Sequence, residues 1–556
     1  MSDENARRWD TLRSDYLRRI TDAAPLVRYG KVVGHEDTVA LLEAVIKPHD
    51  KVNIEGDNQK QADFLAGCLC RVDPGKIHDL HLVQPVISLD SHVELFEKGI
   101  AKKLDFSFSG TQADKMARLI KEGVIHLGAI HTYLELYARY FIDLTPRVAL
   151  VAAYQADRYG NLCTGFNTED TPVIVEATKF KGGVVVAQAN EIVDSLPRVD
   201  IPADWVDFVV QSPGAFYVEP LFTRDPAMIT ESQILRAMMA IKGIYGEYGV
   251  QRLNHGIGFD TAAIELLLPT YGEELGLKGR ICSYFSLNPH PTLIPAIESG
   301  WVKSIHCFGG ESGMEEYIRN RSDVFFTGPD GSLRSNRAYA QMAGHYALDM
   351  FIGGTLQIDE YGNSSTATAG RVTGFGGAPN MGCDAKGRRH CTDTWLKCGG
   401  EYGMGQMLVG DMPKGKRLVV QLQETFREKL APGFVEKLDA WQMAENAGLA
   451  IPPVMIYGDD VTHIVTEEGI AYLHKCATLE ERTSAIRAVA GYTPVGLKAD
   501  PAKTGRLRQS GVVRTPEDLG IDVSRANRRL LAAKNIRDLV KWSGGLYDPP
   551  ARFRNW

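Results

Sequence analysis

The sequence predicts an α/β fold made of two related domains with mainly parallel sheets, followed by a C-terminal extension. The first observation behind this prediction is an internal repeat. The segment QADRYGN at 155–161 returns as QIDEYGN at 357–363, with five of seven residues identical. Residues 54–57 and 255–258 keep nearly the same separation of about 200 residues, as do 106–110 and 306–310. Solenoid repeats run only about 20–50 residues, so the repeat predicts two whole domains with a ligand site where they meet.

The second observation is that β-rich runs alternate with segments of helical spacing in both halves. In the first half, we predict strands at 51–56, 148–154 and 182–190 and a helix within 59–72. In the second half, 253–271 is typical of a strand end, a glycine turn and a helix, and 353–363 of a strand and a turn. Alternating strands and helices favour parallel sheets that are buried on both faces.

Four segments follow from these patterns. They are a polar lead-in at 1–30, a first domain at 31–235, a second domain at 236–500 and a helical tail at 501–556. Thr478 and Glu481 have the spacing of a capping box, which predicts that a helix begins there. In the tail, apolar residues of 524–542 lie near one face of a predicted helix.

Composition excludes several classes of protein. The 556 residues carry a net charge of −7 and offer no basic face for nucleic acid. No apolar run reaches the 18 or so residues of a membrane span, and the N-terminus has no apolar signal segment. Nine irregularly spaced cysteines are typical of reduced thiols in a cytoplasmic protein. The sequence therefore favours a soluble cytoplasmic protein.

The cysteine spacing gives no support for a metal site. A loop-like stretch contains Cys383, His390, Cys391 and Cys398, but this spacing matches no zinc signature. Cys68 and Cys70 lie two residues apart in a predicted helix, where their side chains point in different directions. We interpret them as packing residues and predict no bound metal.

The richest candidate site is the glycine segment at 371–380, RVTGFGGAPN. Its glycines allow the backbone to approach a ligand closely, and free N–H groups in such a loop can meet an oxyanion. Gly376 and Gly377 are therefore candidate catalytic N–H donors, and Arg371 is a candidate substrate contact. The candidate contacts to a thioester or its prosthetic group are Gly374, Phe375, Ala378 and Asn380. A purely structural turn is the alternative interpretation.

A second candidate site is the glycine turn at 255–258, HGIG, which opens a predicted helix. Unpaired N–H groups and the helix dipole favour anions at such a position. The candidate substrate-binding residues here are Asn254, His255, Gly256 and Gly258. The pattern is not GxGxxG, and no acidic residue ends a second strand about 20 positions later, so a dinucleotide fold is disfavoured.

The corresponding turn of the first half is Gly56-Asp57-Asn58-Gln59. Its amide side chains are suited to hold a carboxylate or a thioester carbonyl. Asn58 is a candidate catalytic residue, and Gly56 and Gln59 are candidate thioester contacts. Solvated turn residues are the alternative here.

A third candidate site is CSYFSLNPH at 282–290, at the end of the next predicted strand. Asn288 and His290 are the candidate substrate contacts, although a lone histidine is more often structural than catalytic. The sequence has no GxSxG elbow and no Walker A motif, so it does not support a hydrolase or an NTPase.

Taken in order, these segments resemble the CoA-transferase superfamily. The matching stretches are GIG at 256–258, the two YGN turns, and the segments 189–210, 374–382 and 461–473. The likeness runs from about residue 30 to about residue 500. It implies two α/β domains of shared fold with the active site between them.

Within that superfamily, the ending at 514–556 resembles the α-subunit family of malonate decarboxylases. This resemblance implies an acetyl-[acyl-carrier-protein]:malonate transferase. Such an enzyme exchanges malonate for acetate on the phosphopantetheine-type thiol of an acyl-carrier-protein subunit. It binds no cofactor of its own, and decarboxylase subunits of the same complex act on the malonyl thioester.

One departure from the superfamily bears on mechanism. Ordinary CoA-transferases carry a nucleophilic glutamate after the GIG helix, but the comparable stretch here, 282–290, has no carboxylate. The resemblance then implies direct attack of malonate on the acetyl thioester, through a mixed anhydride. Arg371, His255 and Asn254 are candidate contacts for the malonate dianion. Glu298, in Glu-Ser-Gly, is a weaker candidate nucleophile, and Glu311 lies in a second such triplet.

Two other hypotheses stay open at this point. One is a citrate lyase α subunit or an acetate CoA-transferase, which the tail and the missing glutamate disfavour. The other is a catalytically silent scaffold that docks a carrier protein, which the glycine segments disfavour only weakly.

Overall fold

The computed structural model describes residues 11–56, 60–333, 335–377, 379, 418–427, 430–554 and 556, with the backbone alone for 343–347. Its contacts divide the chain into two compact units, Met1–Glu219 and Pro220–Trp556. The boundary lies earlier than the predicted one between 235 and 236. Arg224, which lies within 220–235, illustrates why: it is buried, pairs with Glu265 and donates a hydrogen bond to Gly258 O in the second unit.

The first unit contains a ten-stranded sheet in its described residues. The strands are β1 (Val27–Tyr29), β2 (Val32–Val33), β3 (Lys51–Ile54), β4 (Leu80–Ile87), β5 (Ala101–Ser109), β6 (His126–Ile130), β7 (Val148–Asp157), β8 (Leu162–Cys163), β9 (Val184–Val193) and β10 (Phe208–Gln211). The order is β1-β2-β10-β9-β7-β3-β4-β5-β6, with β8 paired to β7. All neighbours from β2 to β6 along this path are parallel.

Seven α-helices accompany this sheet in the described residues. They are α1 (Thr11–Ala23), α2 (Thr38–Val45), α3 (Asp63–Leu69), α4 (Asp90–Glu97), α5 (Ala113–Lys121), α6 (Tyr133–Ile142) and α7 (Thr171–Phe180). The first six residues of both β7 and β9 are fully buried. Continuous burial of this kind is expected for central parallel strands covered on both faces, and it confirms the strands predicted at 148–154 and 182–190.

The second unit contains an eight-stranded and a three-stranded sheet in its described residues. The strands are β11 (Arg252–His255), β12 (Tyr284–Ser286), β13 (Ser304–His306), β14 (Met350–Gly354), β15 (Gln357–Asp359), β16 (Ser364–Ser365), β17 (Leu418–Leu422), β18 (Phe434–Val435), β19 (His463–Thr466), β20 (Gly469–Tyr472) and β21 (Val513–Arg514). The larger sheet has the order β13-β12-β11-β14-β17-β19-β20-β21, and the smaller one β16-β15-β18. The first six strands of the larger sheet are parallel to one another.

Helices flank the sheets of this unit as well. The described α-helices are α8 (Glu231–Ala240), α9 (Gly246–Tyr248), α10 (Phe259–Leu267), α11 (Ile294–Glu298), α12 (Glu315–Arg319), α13 (Arg337–Ala347), α14 (Asp439–Ala447), α15 (Leu479–Val489), α16 (Pro501–Gln509) and α17 (Ile536–Trp542). A π-helical turn, Ile241–Tyr245, joins α8 to α9, so that 231–248 form one continuous helix. A second π-helical turn, Leu268–Gly272, follows α10.

Sheet order confirms the duplication predicted from the repeat. Six parallel strands of the first unit run β10-β9-β7-β3-β4-β5, and six of the second run β19-β17-β14-β11-β12-β13. When the six strands of each set are numbered 1 to 6 along the chain, both sheets have the order 6-5-4-1-2-3. The two units are therefore copies of one α/β architecture with mainly parallel sheets.

The two YGN turns are also equivalent in atomic detail. In the first unit, Asp157 Oδ1 accepts hydrogen bonds from the backbone N–H groups of Tyr159 (2.9 Å) and Asn161 (3.0 Å). In the second unit, Asp359 Oδ1 accepts from the residues two and four positions later, at 2.9 and 3.0 Å. The Asn363 side chain donates to the other Asp359 oxygen, as Asn161 does to Asp157. This aspartate-centred turn explains why five residues of the heptapeptide recur.

The C-terminal region confirms one predicted helix and corrects another. Thr478 accepts a hydrogen bond from the Glu481 N–H at 3.1 Å, and α15 begins at the next residue. The predicted helix across 524–542 is wrong in its extent, because the α-helix spans only Ile536–Trp542. Asn535 is extended (φ −161°) and caps that helix by accepting from the Asp538 N–H, which prevents the helix from beginning earlier.

Two further observations concern membrane spans and the cysteines. Within the described ranges, no helix has both the length and the apolar character needed to span a membrane. Cys68 and Cys70 are buried, as predicted for packing residues, and burial raises the pKa of Cys70 to about 11.

Candidate active site

A buried carboxylate organises the carboxyl ends of the central strands in the second unit. Glu265 on α10 is fully buried, and its Oε1 lies 2.9 Å from His255 Nδ1 and 2.8 Å from His290 Nδ1. Its Oε2 lies 3.1 Å from Arg224 Nη2 and accepts a hydrogen bond from the Thr292 hydroxyl. We call these five residues the Glu265 cluster.

The chain reaches this cluster from four segments. His255 is the last residue of β11, and His290 immediately precedes a 3₁₀ turn, Pro291–Leu293, that follows the next strand. Arg224 comes from the segment before α8, and its Nη1 donates to Gly258 O at 2.8 Å at the start of α10. In α/β sheets, ligands bind outside the carboxyl ends of the strands, so the cluster lies at the expected edge.

Electrostatics fix the charge states in the cluster. Burial alone would raise the pKa of Glu265, but Arg224 and the two histidines hold it well below its ordinary value. Burial lowers the pKa of His290 to about 4, and the nearby Arg224 charge acts in the same direction. At neutral pH the cluster therefore combines an ionised Glu265, a cationic Arg224 and a neutral His290.

The ionised Glu265 also fixes which histidine nitrogens carry protons. Because a carboxylate only accepts hydrogen bonds, Nδ1 of His255 and of His290 must donate to it. His255 Nε2 then accepts from the Tyr245 hydroxyl at 2.9 Å. His290 Nε2 is a buried acceptor without a partner among the described residues, and its ring stacks on Phe222 at 5.1 Å.

These protonation states predict a pH dependence of stability. A histidine whose pKa is about 4 in the folded protein and about 6.5 when unfolded binds more protons in the unfolded state between those values. Its contribution is present above pH ~6.5 and is lost as the pH falls toward ~4. We expect thermal unfolding measurements to show a shallower loss of stability between pH 6.5 and 4.5 in His290→Gln. The exposed His126→Gln should keep the wild-type slope, and an unchanged slope in H290Q would contradict this assignment.

Asn254 and Asn288 lie at the same strand ends as the cluster. Asn254 Nδ2 donates to Ser286 O at 2.6 Å, and Asn288 Nδ2 donates to Gly310 O at 3.1 Å. Both residues are buried. These bonds tie neighbouring strand ends together and fix the edge against which the candidate substrate would lie.

The glycine turn between β11 and α10 serves packing as well as helix capping. The Gly256 N–H donates to Ile352 O at 2.7 Å, and a Cβ on Gly256 would lie 2.9 Å from Gly353 Cα. Only glycine permits this close approach of β11 and β14. Gly258 is the N-cap of α10, and the first-turn N–H groups that follow it lack acceptors within the helix.

The glycine segment contains the backbone geometry that its sequence predicts. Gly374 and Gly376 have φ values of 81° and 56°, a left-handed conformation that favours glycine. A Cβ on Gly377 would lie 2.2 Å from Nε2 of Gln341, a buried residue of α13. The segment is therefore a tight turn packed on a helix, and Phe375 is buried within it.

Arg371 precedes this turn and has an exposed residue surface. Its N–H donates to Thr368 O at 3.3 Å, within a turn that the bridge between Ala367 and Val372 closes. Four predicted site residues lie outside the described residues, as does the cysteine- and histidine-containing stretch at 383–398. They are Asn58, Gln59, Ala378 and Asn380.

The corresponding edge of the first unit also contains a buried carboxylate. Glu55 follows β3, pairs with Lys60 and accepts from the Thr171 hydroxyl and from the Ala152 N–H at 2.7 Å. At Gly56, a Cβ would lie 2.6 Å from His92 Cε1. Glycine is thus required beside the imidazole.

Sequence reasoning missed the two buried carboxylates and several of the residues that bond to them. In the second unit these are Arg224, Glu265 and Thr292, and in the first they are Glu55, Lys60 and Thr171. One signal was present, because Glu265 is the single charge in the apolar helical run TAAIELLLP. A charge on a face that must be buried predicts a paired, functionally placed group.

The two alternative glutamates have local partners. Glu298, at the end of α11, accepts from the Tyr317 hydroxyl at 2.7 Å and pairs with Arg321 at the surface. Glu311 is buried and accepts from the Thr223 hydroxyl at 2.8 Å and from the Phe222 N–H at 3.2 Å. Each carboxylate thus accepts at least one hydrogen bond from a nearby group.

Comparison with known proteins gives a consistent result. Residues 8–556 match the family model described as malonate decarboxylase, alpha subunit, transporter. A curated protein from Malonomonas rubra, acetyl-S-ACP:malonate ACP transferase, is 68% identical, with 99% of each chain covered. A chain of the Pseudomonas malonate decarboxylase hetero-tetramer, solved in complex with malonate, is 59% identical over 99% of each chain, with a TM-score of 0.91.

More distant structures share the fold alone. An acyl-CoA transferase from Escherichia coli O157:H7 is 14% identical and has a TM-score of 0.52, with 81% of this chain and 89% of that chain covered. This likeness confirms that both units have a CoA-transferase-like architecture.

Proposed function

The chain belongs to the malonate decarboxylase alpha subunit family, and from this premise we propose that it exchanges malonate for acetate on an acyl-carrier protein. The reaction is acetyl-S-ACP + malonate giving malonyl-S-ACP + acetate. The observation that carries the proposal is 68% identity, over 99% of the chain, to a transferase named for this activity. Citrate lyase, acetate CoA-transferase and a silent docking scaffold have no comparable support.

The proposed mechanism uses no covalent glutamate. A malonate carboxylate oxygen attacks the acetyl thioester carbonyl, the C–S bond breaks, and the thiolate leaves with its electron pair. The thiolate then attacks the malonyl carbonyl of the mixed anhydride, and acetate leaves when the C–O bond breaks. Two observations support this route: 282–290 has no carboxylate, and Glu298 pairs with Arg321 at the surface.

The protein then acts by positioning and by stabilising charge. We assign the oxyanions of both tetrahedral steps to the N–H groups of Gly376 and Gly377. One such donor contributes about 3 kcal/mol in the transition state. The left-handed φ values of Gly374 and Gly376 support this role, because left-handed residues within a turn allow successive N–H groups to converge on an anion.

Malonate requires contacts that favour negative charge. We assign one carboxylate to Arg371, whose residue is exposed, and the other to the start of α10, where the first-turn N–H groups and the helix dipole favour an anion. His255, His290, Asn254 and Asn288 line the proposed pocket. The neutral His290 adds no cation there, so its role is shape and hydrogen bonding rather than charge.

Partners and prosthetic group follow from the same premise. The acyl group is delivered on a phosphopantetheine-type thiol of an acyl-carrier subunit, and the chain itself holds no cofactor. Decarboxylase subunits complete the assembly, for which the Pseudomonas hetero-tetramer is the supporting relative. We place the complex in the cytoplasm, a compartment that suits free thiols such as Cys68 and Cys282.

An exchange assay tests the function directly. The purified chain is mixed with acetyl-acyl-carrier protein and labelled malonate, and label on the carrier protein is measured together with released acetate. We expect stoichiometric acetate release and malonyl transfer. Exchange with labelled citrate in place of malonate would favour a citrate lyase subunit, and exchange with neither acid would favour a scaffold.

Replacing Glu298 with alanine tests the mechanism. We expect exchange within about twofold of wild type, because surface substitutions change free energies by only about 0.5 kcal/mol. Hydroxylamine treatment of the wild-type enzyme with acetyl-acyl-carrier protein should yield no enzyme hydroxamate. A hydroxamate on Glu298, or loss of exchange in a folded Glu298→Ala protein, would establish the covalent route instead.

A further inference from the structure

Two loops of the first unit bring three potential metal ligands together. His49, His78 and Asp79 each offer one ligand atom, and these atoms lie within 4.8 Å of one another. His49 is in the loop before β3, and His78 and Asp79 immediately precede β4. Since β3 and β4 are parallel neighbours, both loops lie at the amino edge of the sheet, opposite to Gly56. We propose that these residues form a binding site for a divalent transition-metal ion such as Zn²⁺.

The chemistry of the three side chains points to that class of ion. Two imidazoles and a carboxylate are ligands typical of Zn²⁺, and imidazole also suits Cu²⁺ and Ni²⁺. Mg²⁺ and Ca²⁺ instead prefer sites made mainly of oxygen ligands. Three protein ligands leave at least one coordination position for water.

The backbone holds the two loops in a fixed relation. The His49 N–H donates to His78 O at 3.2 Å, and the two imidazole rings meet edge to face with centroids 5.6 Å apart. Five non-glycine residues of the described chain have positive φ, and two of them are His49 (66°) and Asp79 (54°). This left-handed conformation is unfavourable for residues other than glycine, so the fold maintains an unfavourable backbone at two of the three ligands.

The side chains are accessible and able to adjust. Those of His78 and Asp79 are 41% and 32% exposed, and His49 is an exposed residue. Tetrahedral ligands at zinc distances lie about 3.3 Å apart. Metal binding therefore requires the His49 ring to move toward the other two ligands, and its exposure leaves it room to do so. His78 Nδ1 already lies 2.8 Å from Asp79 Oδ2.

One neighbouring cation opposes metal binding. Lys102 Nζ lies 3.2 Å from Asp79 Oδ1, and the hydrogen bonds from His78 and Lys102 lower the pKa of Asp79. A bound metal ion would compete with this ammonium group for the carboxylate and would be repelled by it. Removing the Lys102 charge should therefore strengthen metal binding. If Asp79 served only as the surface partner of Lys102, this substitution would have no effect on metal affinity.

Calorimetric titration of the tag-free full-length protein with Zn²⁺ tests the proposal. We expect one binding event that His49→Ala and His78→Ala weaken at least tenfold and that Asp79→Asn also weakens. Lys102→Gln should tighten it severalfold, and the exposed His126→Gln should leave it unchanged. Titration with Co²⁺ should show no thiolate-to-cobalt charge-transfer band, because the ligands are nitrogen and oxygen.

The control measurements separate loss of binding from loss of folding. All three ligands are at least partly exposed, so the metal-free melting temperatures of the variants should equal that of wild type. Zn²⁺ should raise the melting temperature of wild type but not of His49→Ala. Equal Zn²⁺ affinity in wild type, His49→Ala and His78→Ala would overturn the proposal, as would no binding by wild type. Neither result depends on transferase activity.

Discussion

Replacing Arg224 with glutamine is expected to lower the free energy of unfolding of the second unit by about 3–5 kcal/mol, because it leaves Glu265 as an uncompensated buried charge. The substitution also removes the hydrogen bonds to Gly258 O and to the Thr261 hydroxyl at the start of α10. Malonate exchange should be lost with it, since this helix start borders the proposed pocket. Calorimetric unfolding and the exchange assay measure the two effects.

A surface pair of the same chemistry provides the matched control. Arg525 lies 2.6 Å from Glu274, and both side chains are 48% exposed. Arg525→Gln should cost less than about 1 kcal/mol, because water screens exposed ion pairs. The double variant R224Q/E265Q should lose less stability than the sum of the single variants, since it removes both charges together. Equal stability losses in R224Q and R525Q would contradict the paired-charge interpretation.

Replacing Gly377 with alanine is expected to displace the Gly377 N–H from the oxyanion and so to reduce malonate exchange by about 100- to 1000-fold, the usual effect when an oxyanion donor no longer reaches its target. The added Cβ would lie 2.2 Å from Gln341 Nε2. Because Gln341 is buried and its amide has little room to retreat, we expect the turn to move. Overpacking of this kind costs about 1–3 kcal/mol in stability, and the protein should remain folded. Steady-state exchange rates and melting temperatures separate the two effects.

The same segment offers a control for this substitution. A Cβ on Gly370 would meet no atom within 4 Å, so Gly370→Ala should keep wild-type exchange. In the double variant Gly377→Ala/Gln341→Ala the crowded amide is absent, and exchange should recover relative to Gly377→Ala alone. Wild-type exchange in Gly377→Ala would remove this turn from the proposed oxyanion site.

Features that depend on nearby residues could be predicted from the sequence. The YGN turns form because Asp157 and Asp359 accept bonds from residues only two and four positions later. Thr478 caps its helix by the same local logic. Because both turns and the strand pattern recur, the duplication of the α/β architecture was predictable as well.

Features that depend on distant residues could not be predicted. The Glu265 cluster joins residues from 224 to 292, and no spacing rule connects them. In the tail, the apolar spacing favoured one helix, but the cap at Asn535 fixed a later start. Helical spacing indicates which face is apolar, whereas capping side chains decide where the helix begins.

The π-helical turn between α8 and α9 has a consequence for the histidine at the end of β11. A π turn holds one residue more than the α turn that it replaces, and each residue rotates a helix by about 100°. Tyr245 is the last residue of this turn, and its hydroxyl meets His255 Nε2. A single additional residue thus aims the phenol at the sheet, and shortening the helix by one residue would turn it away and remove the partner of His255 Nε2.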